Sequence, residues 1–261
     1  MENAPVIRLA AWKFYKPEEH ERFGKWNQEA YIPLLMKDPA GLKIDRFKIV
    51  RETSHYANFI SIYYFGNVED AKNNFHFGLT KEGQKGHPEY TAYANDLLAT
   101  WVNKRDVLWE VCYERIESLS KQGWKSDESG GKTSKDARPI LHIEGLSLPP
   151  GEEKNYDSWF SEWARGAFIP ILIKLPGLIQ YDCYARPFSY LPEREEYVPF
   201  MAKRPDYPQY VSLLWFEDIE HYEAYEKSEE LAAFRRLTMR DLPNLNFKWY
   251  VQYQLIGSWR K

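Results

Sequence analysis

An internal repeat constrains this chain more than any other feature. Phe23, Trp26, Ile32, Pro33, Lys37, Pro39 and Asp45 recur as Phe160, Trp163, Ile169, Pro170, Lys174, Pro176 and Asp182 at one offset, since 160 minus 23 and 182 minus 45 are both 137. Farther along, Phe59-Ile60-Ser61-Ile62-Tyr63-Tyr64-Phe65 answers Tyr210-Val211-Ser212-Leu213-Leu214-Trp215-Phe216, and Trp109, Val111 and Tyr113 answer Trp249, Val251 and Tyr253. The offset shifts between blocks, as it does when packed elements keep their lengths and loops do not. Self-similarity of this kind makes each copy a structural unit. Between the copies, Ser118 to Arg138 is rich in Ser, Gly, Lys and Asp and holds Gly130-Gly131, the composition of a flexible linker. The expected organisation is a first unit over residues 1–117, a linker over 118–138 and a second unit over 139–261.

Each copy carries the same order of patterns. Val6 to Phe14 and Ile140 to Leu148 are β-rich, and Phe23, Trp26 and Ala30, like Phe160, Trp163 and Ala167, then recur at helical spacing. Pro39 and Pro176 end those helices, and second strands follow at Leu42 to Val50 and Leu178 to Ala185. The Phe59 and Tyr210 blocks supply third strands and the Trp109 and Trp249 blocks fourth strands. Between them Asn67 and Asp218, good N-caps, open a second helix. The order β-α-β-β-α-β is the split βαβ, ferredoxin-like unit, an α+β fold. Its sheet has helices on one face only, and two copies can bury the other by packing sheet against sheet within the chain.

The passages Tyr31-Ile32-Pro33-Leu34-Leu35 to Asp45 and Phe168-Ile169-Pro170-Ile171-Leu172 to Asp182, each followed by an aromatic strand, resemble the dimeric α/β-barrel superfamily, especially its EthD-like members. The resemblance covers nearly the whole chain outside the linker and rests on pattern and element order rather than on a signature motif. It implies an intramolecular dimeric α/β barrel built from a tandem duplication, with a cavity between sheet and helices for a small, mostly apolar molecule. That superfamily includes polyketide cyclases, decarboxylases, cofactor-independent monooxygenases, haem-degrading enzymes and proteins without known activity, so the resemblance leaves the chemistry open.

Bulk properties narrow the choice. Lys and Arg total 35 against 38 Asp and Glu, and a net charge of -3 offers no general attraction for nucleic acid or anionic lipid. The N-terminus lacks a basic stretch followed by a long apolar run, and the apolar run around Ala167 to Ile173 is short and contains Pro170. A cytoplasmic protein, neither secreted nor membrane-spanning, is expected. Cys112 and Cys183 lie in strands of different copies without metal-ligand spacing and read as buried, reduced thiols. There is no Gly-rich phosphate loop, no Gly-x-Ser-x-Gly elbow and no His-Glu-x-x-His helix, so no cofactor and no metal is expected. The surplus of 10 Trp, 19 Tyr and 14 Phe fills a core and also suits a pocket for a flat apolar ligand.

Comparing the copies sorts the ionisable residues. Asp45 and Asp182 occur in both and read as structural, hydrogen-bonded to backbone or helix termini. Arg8 and Ala10 align with His142 and Glu144, and strand alternation puts His142, Glu144 and Leu146 on one face. A carboxylate beside an imidazole orients the ring and suits acid/base work near neutral pH, although a solvated or sheet-to-sheet polar pair would show the same spacing. The first copy also carries an insertion, with 44 positions from Phe65 to Trp109 against 33 from Phe216 to Trp249. It includes His76 and His87. His87-Pro88-Glu89-Tyr90 resembles the His-containing second-helix region of plant polyketide cyclases, which nominates His87 with Tyr90 or Tyr93; an exposed loop histidine is the plainer reading. Arg8, His76, Tyr63, Trp109, Tyr184, Trp215 and Trp249 are the candidate substrate-binding residues, against a reading as ordinary core.

The function expected from these residues is a cofactor-independent cyclase or decarboxylase acting on an apolar, polyketide-like or aromatic substrate, with His142, Glu144, His87 and Tyr90 as catalytic candidates. Two alternatives stand beside it. One is a cofactor-independent or haem-linked monooxygenase of the same fold; the other is a non-catalytic binding or stress-response protein for an apolar ligand. The partner is then a small molecule; exposed sheet edges permit a homodimer, and barrel-like closure reduces the need for one, so the sequence leaves the oligomeric state open.

Overall fold

The computed structural model describes residues 5–51, 53, 55–79, 100, 104–121, 139–186 and 207–261. Its described residues divide into two compact units, Ala4–Arg115 with Ile256–Lys261, and Ile116–Ala185 with Asp206–Leu255.

The first unit runs β1 (Val6–Phe14), α1 (Pro17–Trp26), a π-helical segment (Asn27–Tyr31), α2 (Ile32–Leu35), β2 (Gly41–Ile49), β3 (Phe59–Phe65), α3 (Val68–Leu79) and β4 (Arg105–Ser120). The second runs β5 (Ile140–Ser147), α4 (Glu153–Trp159), a second π-helical segment (Phe160–Phe168), α5 (Ile169–Leu172), β6 (Leu178–Ala185), β7 (Tyr210–Phe216), α6 (Ile219–Glu226), α7 (Glu229–Asp241) and β8 (Asn246–Arg260), except that β4 beyond Arg115 counts with the second unit and β8 from Ile256 with the first. All pairings within each unit are antiparallel, in the order β4-β1-β3-β2 and β8-β5-β7-β6. The registers correspond as well: Arg8 lies opposite Tyr63 and Cys112, and His142 opposite Leu214 and Gln252. The α+β order expected from the repeat is thus observed in both units.

The sequence repeat has a local cause in the helices. Pro33 and Pro170 cannot donate to the carbonyl four residues back, and a proline ring displaces that carbonyl. In both units the helix widens into π geometry immediately before the Ile-Pro step, at Asn27–Tyr31 and at Phe160–Phe168, which accommodates the proline without breaking the chain direction. Helix starts follow their caps. Asn67 Oδ1 accepts the Asp70 amide at 2.8 Å, and Asp218 Oδ1 accepts the His221 amide at 2.9 Å. The second helix of the second unit is divided in two, because Ser228 caps α7 by accepting the Leu231 amide at 3.2 Å.

Burial extends to both faces of the strands. In β1, Val6, Ala10 and Phe14 belong to a cluster with Phe23, Ile32 and Leu35 of the helices, while Ile7, Leu9 and Ala11 on the other face are fully buried too. Asp45 and Asp182 both bond to side chains. Tyr64 Oη donates to Asp45 at 2.9 Å and Lys43 Nζ lies 2.5 Å from the same oxygen; Asp182 accepts from Gln180 and from Ser118, each at 2.6 Å. Ser118 to Ser120 continue β4, with the Lys121 amide donating to the Ile179 carbonyl, and residues 122–138 of the expected linker lie outside the described residues. Among the described residues no helix is long and apolar enough to cross a membrane.

Candidate functional site

In the second unit a cavity lies between the helices and one face of the strands. Strand alternation aims Glu144 of β5, Tyr181 of β6 and Ser212 and Leu214 of β7 into it, and the helices supply Trp159, Phe168, Tyr225, Phe234 and Thr238. Its volume is ≈ 20 Å³, room for about one water. The walls are aromatic, with Phe234 stacked on Phe168 at 3.8 Å between ring centres. Phe247, 42% exposed, also lines the cavity. Two buried polar atoms of the wall, Trp159 Nε1 and Thr238 Oγ1, have no protein partner among the described residues.

Glu144 is the carboxylate side chain at this wall, and His142 stands behind it. His142 Nε2 lies 3.2 Å from Glu144 Oε1, and the imidazole is fully buried, packed against Tyr222 and edge-on to Tyr250. The other ring nitrogen, Nδ1, lies 3.1 Å from Gln252 Nε2. Gln252 Nε2 also donates to Tyr222 Oη at 2.6 Å, and Tyr222 donates to Glu226 at 2.8 Å. Tyr250 donates to the same Glu226 oxygen, and Arg235 bonds both Tyr250 and Glu226. A continuous chain of polar contacts therefore links the cavity-facing Glu144 to the half-buried Glu226.

Electrostatics follow from burial. Burial pushes the Glu226 carboxyl upward, but hydrogen bonds from Tyr250 and Tyr222 and the Arg235 charge outweigh it and hold the group below its ordinary value. Burial, reinforced by neighbouring phenols and Glu226, raises Tyr222; burial and the Glu144 charge raise Tyr250. Both phenols are therefore neutral donors at pH 7. A second cluster joins Tyr156 Oη to Cys183 Sγ at 3.7 Å, Ser212 Oγ to Cys183 at 3.9 Å, and Tyr181 Oη to Ser212 at 3.2 Å. Burial pushes the Cys183 thiol up to about 11, so it is neither a thiolate nor a nucleophile at neutral pH. Both cysteines are buried, and neither is in a disulfide.

Of the residues singled out in the sequence, His142 and Glu144 are brought together at the cavity. Tyr184, Trp215 and Trp249 are buried on the opposite face of their strands, away from it; alternation separates Tyr184 from Tyr181 and Trp215 from Leu214, and Trp249 stands across from Gly145. Arg8 and Tyr63 meet in the first unit, where the Arg8 guanidinium lies 4.3 Å from the Tyr63 ring centre. This cation–π contact gives the pair a packing role. His76 lies in α3 and Trp109 in β4, with side chains outside the described residues, as are His87 and Tyr90 altogether.

Several site residues escape sequence reasoning. Gln252 is accessible to the comparison that finds His142, because it is polar where the first copy has Cys112. Tyr222 and Glu226 lie one helical turn apart on α6 and carry no signal without knowledge of which turn faces the strands. A haem group does not fit the described residues of this cavity: no histidine lines it, and both ring nitrogens of His142 are engaged, by Glu144 and Gln252. Among the described residues there is also no group of three or more His, Cys, Asp or Glu side chains placed to hold a metal ion.

No protein-family model matches the chain, and neither does any curated protein sequence. Solved structures do match its fold. A proposed monooxygenase from Fusobacterium nucleatum superposes over 100% of this chain and 96% of its own, at 9% identity and a TM-score of 0.59. An anthrone oxidase-like protein matches over 99% and 94%, at 11% identity and a TM-score of 0.57. A mutant chlorite dismutase from Candidatus Nitrospira defluvii matches over 98% and 92%, at 9% identity and a TM-score of 0.52. The likeness is one of fold.

Proposed function

We propose that the chain is a cofactor-independent oxygenase for an aromatic ketone that carries an acidic C–H, with its active site in the second unit. The observation that carries this reading is Glu144: a carboxylate at the wall of an aromatic cavity, backed at 3.2 Å by a fully buried His142. Glu144, rather than the imidazole, faces the substrate, and His142 orients it. Trp159 Nε1 and Thr238 Oγ1 offer hydrogen bonds to a carbonyl oxygen on the substrate. Removal of the C–H proton gives an enolate that reacts directly with dioxygen. A CH2 group plus O2 becomes a carbonyl plus water, so the substrate supplies both electrons and protons and no external reductant is required. Entry of a fused-ring substrate requires Phe234 and Phe247 to swing aside, given the present cavity volume of ≈ 20 Å³.

Likeness in fold to structures described as a monooxygenase and an anthrone oxidase-like protein supports oxidation over the cyclisation or decarboxylation expected from sequence. We read the two units as copies of one ancestral unit, the first without the acid/base pair, since Ala10 stands where the second has Glu144. The test is oxygen uptake by metal-stripped protein with anthrone as probe under labelled dioxygen. Expected are one labelled oxygen atom in the product carbonyl and one O2 consumed per substrate, with Glu144→Gln slower by roughly a hundredfold or more, the scale of a lost general base. Wild type no faster than buffer, or an unimpaired variant, overturns the reading.

A further inference from the structure

We infer that Gln252, held by Tyr222 and Glu226, is a positioning residue that fixes His142 in the tautomer with its proton on Nε2. The argument is one of donor and acceptor counting. Glu226 is an acceptor at pH 7, so the single Tyr222 hydroxyl proton points to it, over 2.8 Å. Tyr222 can then only accept along its other contact, which turns the Gln252 amide so that Nε2, at 2.6 Å, is the donor. The same Nε2 lies 3.1 Å from His142 Nδ1 and presents a hydrogen there, so Nδ1 must carry a lone pair. The ring proton is left on Nε2, aimed at Glu144 Oε1 over 3.2 Å. A carboxylate outside the cavity thus sets the donor facing the carboxylate inside it, through three intervening side chains. The first unit lacks the device: Arg8 and Cys112 stand at the His142 and Gln252 positions.

The inference rests on the proposed function only for its kinetic consequence; the tautomer itself is read without substrate. In 15N-histidine-labelled protein, two-dimensional NMR should show His142 with Nε2 protonated and Nδ1 bare. Gln252→Glu places an acceptor on Nδ1 as well and should convert the ring to the doubly protonated form at pH 7. Tyr222→Phe, nearly isosteric and safer for folding, frees the amide to turn and should give a mixture of tautomers. With anthrone, Tyr222→Phe should lower kcat roughly tenfold to a hundredfold with KM little changed, the usual effect of losing an orienting partner. A wild-type ring protonated on Nδ1, or a Tyr222→Phe ring still wholly in the Nε2–H form, overturns the inference. The predicted tautomers in a protein that never oxidises anthrone would leave the positioning network standing and remove the oxygenase reading instead.

Discussion

Gly177→Ala gives a quantitative test of the second unit. Gly177 precedes β6 with φ at +72°, where an L side chain costs roughly 1–2 kcal/mol. An added Cβ would also fall well inside van der Waals contact of His221 Cγ and Cβ. Because the Cβ of His221 is itself in the way, ring rotation alone cannot relieve the clash, and α6 has to shift at its first turn. That shift disturbs the Asp218 cap, worth about 1 kcal/mol, and the His221 Nδ1 contact to Asp218 at 2.6 Å, which is partly exposed and adds little. A total loss of about 2–3 kcal/mol is expected in urea unfolding, as the sum of the φ penalty and the damaged cap. Gly24→Ala is the control: nothing lies within 4 Å of the added methyl, and in a helix interior the change should stabilise by about 0.5–1 kcal/mol. Adding His221→Ala to Gly177→Ala removes the ring but keeps the Cβ that stands in the way, and should recover little of the loss. A Gly177→Ala protein within about 0.5 kcal/mol of wild type, on the scale of an ordinary surface change, would refute the reasoning.

Other outcomes follow from the same contacts. Cys183, pushed to about 11 and fully buried, and Cys112, also buried, should resist thiol reagents at about pH 8 until the protein is unfolded in urea; fast labelling of the native state would contradict this. Asp182→Ala removes the acceptor of the Gln180 and Ser118 hydrogen bonds and should cost about 1–3 kcal/mol in urea unfolding while leaving oxygen uptake unchanged, as suits a structural carboxylate. Burial raises the Asp218 carboxyl, but the His221 amide and ring outweigh it and leave the folded value below the unfolded one of about 3.9. Its contribution to stability is therefore full above that pH and disappears as pH falls through the lower folded value. Asp218→Asn should accordingly flatten the stability profile in the acid range, and an unchanged acid limb would count against the assignment.

Much of the fold is legible because the repeat carries it. Two aligned sets of strand patterns, with Pro33 and Pro170 in one register, determine the order β-α-β-β-α-β without reference to any single propensity. Alternation along β5 likewise places His142 and Glu144 together, since a two-residue period is rigid. The same arithmetic is available for the aromatics but cannot be used, because it does not say which face of a strand holds the cavity. Sequence alone therefore groups Tyr184, Trp215 and Trp249 with the site although their side chains point the other way. The π-helical widening is invisible because hydrophobic spacing cannot separate one extra residue per turn from an α-helix over so short a span. Tyr222, Glu226 and Arg235 escape for a different reason: their role depends on contacts to Gln252 and Tyr250, which come from the strand 15 or more residues farther on.

Proton removal by Glu144 is the central claim, and isotope exchange without oxygen tests it most directly. Metal-stripped protein and anthrone are held in D2O under anaerobic conditions, and deuterium entry at the acidic C–H is followed by NMR against buffer alone. The account predicts exchange well above buffer with wild type, the buffer rate with Glu144→Gln, and an intermediate rate with Tyr222→Phe. Exchange at the buffer rate with wild type, or equal acceleration by Glu144→Gln, would contradict it.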